Sequence, residues 1–188
     1  MNDTEHVVVI GGANIDIAGF THKRLVPADS NPGSIRTSLG GVGRNIAENL
    51  VRLGIKTRLI SVVGDDAFGM RIIEECRQAG IDMSMVKTLH SMSSSVYLSI
   101  LNHEGDMELA VSDMDIIDRL DVELLKQFHP FISGASAVVV DTNLPAASLT
   151  YLAETYRGKL FIDTVSTTKT LKVKGFIEAF RLIKPNRK

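Results

Sequence analysis

Two polar side chains follow directly after the first apolar run of the sequence. The run is Val7–Ile10, and Asn14 and Asp16 come just beyond the Gly11-Gly12 pair that ends it. In an open α/β sheet, ligands bind outside the carboxyl ends of the strands. A carboxylate there can accept hydrogen bonds from two neighbouring hydroxyls of a sugar. Asn and Asp also bond their own backbone in turns, so a sugar site and an ordinary turn both stay open.

A glycine-rich segment, Gly40-Gly41-Val42-Gly43-Arg44-Asn45, is the second candidate for chemistry. Glycine lets the backbone approach a ligand closely, and a helix that begins here would point its amide groups at the same place. A flexible loop with an Asn cap is the simpler interpretation. The dinucleotide pattern GxGxxG is not satisfied, because Ile46 stands at its last glycine position, and the sequence has no GxxxxGK[ST] phosphate loop.

Polar residues recur where later strands are predicted to end. They are Asp141, Thr142 and Asn143, then Asp163, Thr164 and Ser166, and finally Asn186. Helix capping accounts for some of them. Because the carboxyl ends of parallel strands share one edge of a sheet, we expect several of these side chains to face the same rim as Asp16.

The elements that would position these residues alternate along the chain. The predicted strands are 7–10, 58–63, 137–140, 160–162 and 182–184. The predicted helices are 45–53, 67–79, 119–132, 146–156 and 174–179. This alternation predicts an α/β fold with a mostly parallel sheet covered on both faces. Two segments without helical period, about 15–37 and 95–112, are expected to pair into a small separate sheet.

The composition fits a globular protein and excludes several function classes. Apolar residues make up 44% and charged residues 23% of the 188 positions, and the net charge is −1. No global positive field favours nucleic acid, and no apolar run approaches the ~20 residues of a membrane span. The single cysteine, Cys76, allows no intramolecular disulfide, which suits the cytoplasm.

Three motifs together resemble the N-terminal signature of the ribokinase-like, or PfkB-type, carbohydrate kinases. They are the segments 40–47, 53–54 and 63–69, and Asn14-Ile15-Asp16 is similar to the sugar-binding motif of that family. The likeness covers essentially the whole chain. It implies a three-layer sandwich around the parallel sheet, with the small sheet as a lid, and it identifies residues 1–188 as the N-terminal, C-terminally truncated part of such a kinase. Within the family, the chain most resembles the pseudouridine kinase subgroup.

The resemblance assigns roles to residues of this chain. The substrate-binding set that it implies is Asn14, Asp16, Ser30, Asn31, Gly40, Gly41, Arg44, Asn45 and Asn143. Ser30 and Asn31 could contact the base or simply form a Pro-Gly turn, and Asn143 stands where ribokinases often have Glu. Asn186 and Asp163 would lie near the nucleotide and its magnesium ion.

The resemblance also implies the reaction and its partners. ATP with Mg²⁺ would phosphorylate the 5′-hydroxyl of a small-molecule substrate, pseudouridine, in a cytoplasmic homodimer joined through the lid, without nucleic acid or membrane. The Gly-Ala-Gly-Asp segment that carries the catalytic base of the family is not in the sequence. We therefore expect the base beyond Lys188 and no useful turnover from this chain alone. A kinase for ribose or another nucleoside, and a non-catalytic sugar-binding or dimerising module, stay open as alternatives; a dinucleotide oxidoreductase is disfavoured.

Overall fold

The computed structural model describes residues 6–185. Six parallel strands form a central sheet in the order β10-β9-β8-β1-β4-β5. Their bounds are β1 Val7–Ile10, β4 Thr57–Gly64, β5 Asp82–Leu89, β8 Ala137–Asp141, β9 Leu160–Asp163 and β10 Phe180–Lys184. The predicted α/β class and parallel sheet are confirmed. Strand β5 was not predicted, because its segment DMSMVKTL lacks the continuous β-branched run that marked β1.

The second sheet has four strands in the order β3-β2-β6-β7. They are β2 Asn14–Thr21, β3 Gly33–Gly40, β6 Val96–Leu101 and β7 Met107–Asp113. Strands β2 and β6 pair in parallel, and the outer two pairs are antiparallel. The two segments that lack helical period therefore pair with each other as expected; this second sheet is called the small sheet below.

Helices cover the two faces of the central sheet. They are α1 Val42–Arg52, α2 Ala67–Gln78, α3 Val122–Gln127, α4 His129–Gly134, α5 Ala146–Thr155 and α6 Thr167–Thr170, with 3-10 helices over Asp115–Arg119 and Leu171–Ala179. Helices α1 and α2 pack on the face that carries Val9 and Leu59, whereas α3 and α5 pack on the face that carries Val8 and Ile60. Apolar burial on both faces stabilises the three layers.

Two predicted helices are wrong in their extent. The helix expected over 119–132 is broken into a 3-10 turn, α3 and α4, because Asp121 caps α3 through Leu124 N and Pro130 stands in the first turn of α4. The helix expected over 174–179 is a 3-10 segment interrupted at Phe176. By contrast, α2 begins as predicted: the Asp66 side chain accepts from Gly69 N at 2.7 Å.

The chain leaves the central sheet and returns to it at almost the same point. After β1 it enters β2 at Asn14, crosses the small sheet, and comes back along β3 to Gly40, which pairs with Asn14. Helix α1 starts immediately afterwards. The end of β1 and the start of α1 are thereby brought side by side, and this is where the candidate site lies.

Candidate functional site

The glycines that follow β1, Gly11 and Gly12, are in close backbone contact with Gly41 and Gly43 at the start of α1. A Cβ atom on Gly41 would stand 2.3 Å from the carbonyl oxygen of Gly12, and one on Gly43 would stand 2.8 Å from Gly11 Cα. Gly41 also has φ = 98°, which side chains rarely adopt. The glycines predicted to admit a ligand therefore serve first to let two backbone segments touch.

The carboxylate of Asp141 fastens these segments to the end of β8. It is fully buried, and it accepts hydrogen bonds from Gly12 N at 3.1 Å and Asn143 N at 2.8 Å. Burial raises the pKa of the Asp141 carboxyl, and the backbone N–H groups that it accepts act in the opposite direction. Asp141 thus positions the loops of the site and does not face the cavity itself.

Asp16 and Asn14 form the polar centre of the site. Asn14 Nδ2 donates to Asp16 Oδ1 at 2.6 Å, which fixes the carboxylate and leaves Oδ2 with lone pairs for a ligand. Both residues line a cavity of about 540 Å³ together with Gly41, Asn45 and Asn143. The structure therefore brings together the main residues that the sequence analysis proposed for sugar binding.

The small sheet and the central sheet contribute opposite walls of this cavity. In the small sheet, Asp16 pairs with Tyr97, and Tyr97 pairs with Ser112, so all three side chains lie on one face. On the side of the central sheet, the loop after β8 contributes Asn143 and α6 contributes Lys169. Tyr97, Ser112 and Lys169 were not predicted, because nothing in the sequence indicates which strands pair across the small sheet or where α6 packs.

Arg44 lies outside this cavity. It is 7% exposed, and its guanidinium donates to Leu39 O at 2.7 Å and to Gly40 O at 3.3 Å, and bonds Asn45 Oδ1 and the Glu48 carboxylate. These contacts tie the end of β3 to α1. Since Arg44 occupies Asn45 Oδ1, the Asn45 amide has its Nδ2 left to donate towards the cavity.

Ser30 and Asn31 are not brought to the cavity of the same chain. They lie in the loop between β2 and β3, where Asn31 Oδ1 accepts from Val26 N at 2.8 Å and Asn31 Nδ2 donates to Val26 O. At about 3.3 Å per residue, Thr21 at the end of β2 is already some 17 Å beyond Asp16. The Asn31 side chain closes a turn, and Ser30 joins it through its backbone N–H, which donates to Asp29 Oδ1 at 2.7 Å; a contact of either residue with the base stays a prediction.

Asp163, which is expected near a nucleotide, lines a second cavity that shares Val42 and Asn45 with the sugar cavity. Asp163 is 7% exposed, accepts from Val165 N at 2.8 Å, and pairs with Lys184 Nζ at 3.0 Å. The second cavity lies beside α1, and Asn186 lies outside the described residues. Ser166 caps α6, which is the capping role weighed from sequence. Thr142 Oγ1 donates to Thr164 O instead and caps no helix.

Residues 4–188 match the family model described as pfkB family carbohydrate kinase, and the chain belongs to this family. It is 39% identical over 188 residues to the pseudouridine kinase of Escherichia coli K12, covering 100% of this chain and 60% of that protein. The chain thus spans less than two thirds of that relative.

Solved structures share the fold. A carbohydrate kinase from Agrobacterium tumefaciens superposes with a TM-score of 0.86 at 31% identity, covering 95% of this chain and 60% of that one. A ribokinase of Arabidopsis thaliana, complexed with ribose and ATP, superposes with a TM-score of 0.73 at 18% identity, covering 96% and 60%. The ribokinase-like fold predicted from the sequence is confirmed. No helix in residues 6–185 combines the length and apolar character of a membrane span.

Proposed function

We propose that this chain binds the ribosyl group of pseudouridine as the sugar-binding part of a kinase that phosphorylates the 5′-hydroxyl. The observation that carries the proposal is the Asp16 carboxylate, held by Asn14, in one cavity with Gly41 and Asn45. Family membership supports phosphoryl transfer to a carbohydrate or nucleoside, and the 39% identical pseudouridine kinase supports the particular substrate.

The site can hold a ribosyl diol by simple hydrogen-bond chemistry. Two adjacent hydroxyls donate to the Asp16 carboxylate, and one of them accepts from Asn45 Nδ2. Each charge-assisted bond contributes about 1.5–3 kcal/mol. The rigid Asn14–Asp16 pair reduces the ordering cost of binding, because the carboxylate is already oriented before the sugar arrives.

The transfer itself would follow the in-line course of kinase reactions. The 5′-oxygen bonds to the γ-phosphorus of ATP, the bond to the β,γ-bridging oxygen breaks, ADP leaves, and the hydroxyl proton passes to a base. The described residues orient the acceptor sugar, and the carboxylates that line the cavity are Asp16, Asp115 and Asp118. The Gly-Ala-Gly-Asp segment, to which the proposal assigns the base, does not occur in the sequence. A general base is worth about 10²–10⁴-fold in rate, so we expect the chain alone to show no useful turnover.

The described residues form no magnesium site from protein ligands alone, whereas kinases hold Mg²⁺ with one or two carboxylates together with substrate phosphates and water. Within residues 6–185, no group of three or more His, Cys, Asp or Glu side chains could hold a metal ion. The carboxylate nearest the expected place, Asp163, already pairs with Lys184 and the Val165 amide. No step of the proposal is therefore routed through Mg²⁺.

Titration calorimetry with pseudouridine tests the binding proposal. We expect wild-type chain to bind, Asp16→Asn to bind at least about tenfold more weakly through loss of the charge, and Asp106→Asn, a hairpin control, to bind like wild type. Absence of pseudouridine binding, or an Asp16→Asn variant that binds normally, would refute the site.

Two further experiments separate the alternatives. Ribose and other nucleosides in the same titration identify a kinase for a different substrate, since the better ligand should bind at least tenfold more tightly. ADP-release measurements with ATP and pseudouridine test for the module: sugar binding without turnover or ATP binding agrees with a non-catalytic piece. Robust ADP release from the chain alone would overturn the expectation that its base lies elsewhere.

We further propose a homodimer formed through the outer face of the small sheet. One row across its four strands consists of Ile35, Gly19, Ile100 and Leu109, and the next of Thr37, Ile17, Leu98 and Val111. Exposure reaches 75% at Ile35 and 60% at Leu109. A second copy is the proposed occupant because the same apolar rows on both partners satisfy a two-fold interface.

Light scattering tests the dimer. We expect wild-type mass to be twice that of the chain, and Leu98→Glu to give the monomer mass, because a charge in an apolar interface costs several kcal/mol. Leu171→Glu, which changes an equally apolar exposed residue elsewhere, is the control. A wild-type monomer at high concentration would contradict the proposal.

We also propose a cytoplasmic location for the protein, and the buried free thiol of Cys76 is consistent with it.

A further inference from the structure

Lys169 is a feature of the cavity that the sugar-binding proposal does not use. It lies on α6, and its ammonium group donates to Asn143 Oδ1 at 2.6 Å. Both side chains line the cavity that contains Asp16. Among the described residues that line this cavity, Lys169 is the one lysine or arginine.

The lysine determines which way the Asn143 amide faces. An ammonium group can only donate, so the amide oxygen must be the atom that faces Lys169. The Nδ2 group then lies on the opposite side, 3.7 Å from where a Cβ on Gly12 would stand. That side leads to the loop carrying Asn14. Asn143 Nδ2 and the Lys169 ammonium therefore offer N–H donors to a ligand, while the amide oxygen, which could accept, faces the lysine.

The segment that carries Lys169 is held in place with some backbone strain. Val165, which precedes α6 and lines the same cavity, has φ = 55°, a conformation that β-branched residues rarely adopt. Lys172, three residues after Lys169, donates to Thr142 O at 3.1 Å and Leu144 O at 2.9 Å. Lys172 lies in the 3-10 helix that directly continues α6, so its contacts hold this end of α6 against the loop after β8 and place Lys169 beside Asn143.

From this geometry we infer that Lys169 and Asn143 form a donor-only subsite, which selects ribosyl compounds whose sugar substituent presents an acceptor oxygen. The carbonyl of a nucleobase is such an acceptor. Lys169 and Asn143 are partly buried. A substituent without polar atoms would shield their free hydrogens from water without pairing them, and a donor left unpaired in this way is costly. The inference rests on the proposed sugar site and adds the feature that distinguishes one ribosyl ligand from another.

Two ligands of similar shape test the subsite. Pseudouridine and 1-phenyl-riboside both join a six-membered ring to the ribose through carbon, but only pseudouridine has carbonyl oxygens. We expect wild-type chain to prefer pseudouridine by at least about tenfold, the value of one charge-assisted hydrogen bond. Lys169→Met should remove most of this preference by weakening pseudouridine binding while leaving 1-phenyl-riboside binding unchanged.

A second variant reads the subsite independently. Asn143→Asp replaces the donating amide by an acceptor oxygen next to the same lysine, so pseudouridine should again lose about tenfold relative to 1-phenyl-riboside. Lys174→Met, an exposed lysine on the same segment, should keep the wild-type ratio. Circular dichroism confirms that each variant is folded.

The outcomes distinguish this inference from the sugar site. If both ligands bind wild-type chain equally and neither variant changes their ratio, the donor-only subsite is wrong and the sugar site stands. Equal weakening of both ligands by Lys169→Met would also overturn it, because the lysine would then act on the sugar or the fold. If neither ligand binds wild-type chain, the sugar site fails and the subsite fails with it.

Discussion

The substitution Gly40→Ala separates binding from stability more cleanly than removal of Asp16 itself. A Cβ at this position would stand 2.4 and 2.5 Å from the two carboxylate oxygens of Asp16 and 2.6 Å from Asn14 Nδ2. Atoms in ordinary contact lie about 3.5 Å apart, so these side chains must retreat by roughly 1 Å. Gly40 does not have a positive φ, so the alanine backbone itself is not strained.

The expected effect is large on affinity and small on stability. Loss of one charge-assisted hydrogen bond to the sugar costs about 1.5–3 kcal/mol, which corresponds to roughly 10- to 150-fold weaker binding of pseudouridine. Because the displaced atoms are ends of side chains, the free energy of unfolding should change by about 1 kcal/mol or less; replacing glycine at a compatible φ by itself stabilises by about 0.4–1 kcal/mol.

Calorimetry and urea unfolding measure the two quantities on the same protein. Gly175→Ala is the matched control, because its Cβ would meet nothing within 4 Å. A Gly40→Ala variant that binds pseudouridine as tightly as wild type would refute the assignment of Asp16 and Asn14 to the sugar. A loss of several kcal/mol in stability would instead show that this glycine serves the fold.

Three further predictions concern other parts of the chain. Gly41→Ala should destabilise by about 2–5 kcal/mol in urea unfolding, from the positive φ and the backbone contact with Gly12, whereas Gly54→Ala, with φ = 79° and open space around it, should cost only about 1–2 kcal/mol; equal losses would contradict the close packing of the glycine runs. Burial raises the pKa of Cys76 to about 11, so at pH 8 iodoacetamide should react with the folded chain at least ~100-fold more slowly than with unfolded chain, and rapid labelling of folded protein would contradict the burial. Burial acts to raise the pKa of Asp66, but hydrogen bonds from Ser94 and Gly69 outweigh it and hold the pKa below its usual range. Above pH 4, the free energy of unfolding should therefore be about 1 kcal/mol higher than that of Asp66→Asn, and this difference should disappear as the pH falls through the lowered pKa. A difference that does not depend on pH would be evidence against this.

Local patterns predicted the elements that have strong local signals. The β-branched run of β1 and the Asp66 cap of α2 are examples, and Gly11-Gly12 correctly marks the end of the first strand. The long helix predicted over 119–132 failed because apolar spacing alone does not register the stop that Pro130 imposes. Helix propensities and apolar spacing over a window predict poorly where a single proline removes a backbone N–H donor.

The site was predictable in its centre and not at its margins. Asn14 and Asp16 lie in a short motif at the start of β2, and Gly41 lies in another directly after β3, so local motifs found them. Lys169 reaches the cavity through the packing of α6, 26 residues away from Asn143 in sequence. Arg44 illustrates a different limit: its place in a glycine-rich motif predicts ligand contact, whereas in the structure its guanidinium bonds backbone carbonyls and Glu48.

The residues that line the cavity come from both sides, the small sheet and the central sheet. Ligand binding in the cavity is therefore linked to partner binding on the outer face of the small sheet. Asp16 and Tyr97 lie in the small sheet, whereas Asn143 lies in the loop after β8 of the central sheet. A ligand that bridges them favours one relative placement of the sheets. By thermodynamic reciprocity, any partner that alters this placement from the outer face changes ligand affinity by the same factor by which the ligand changes affinity for the partner.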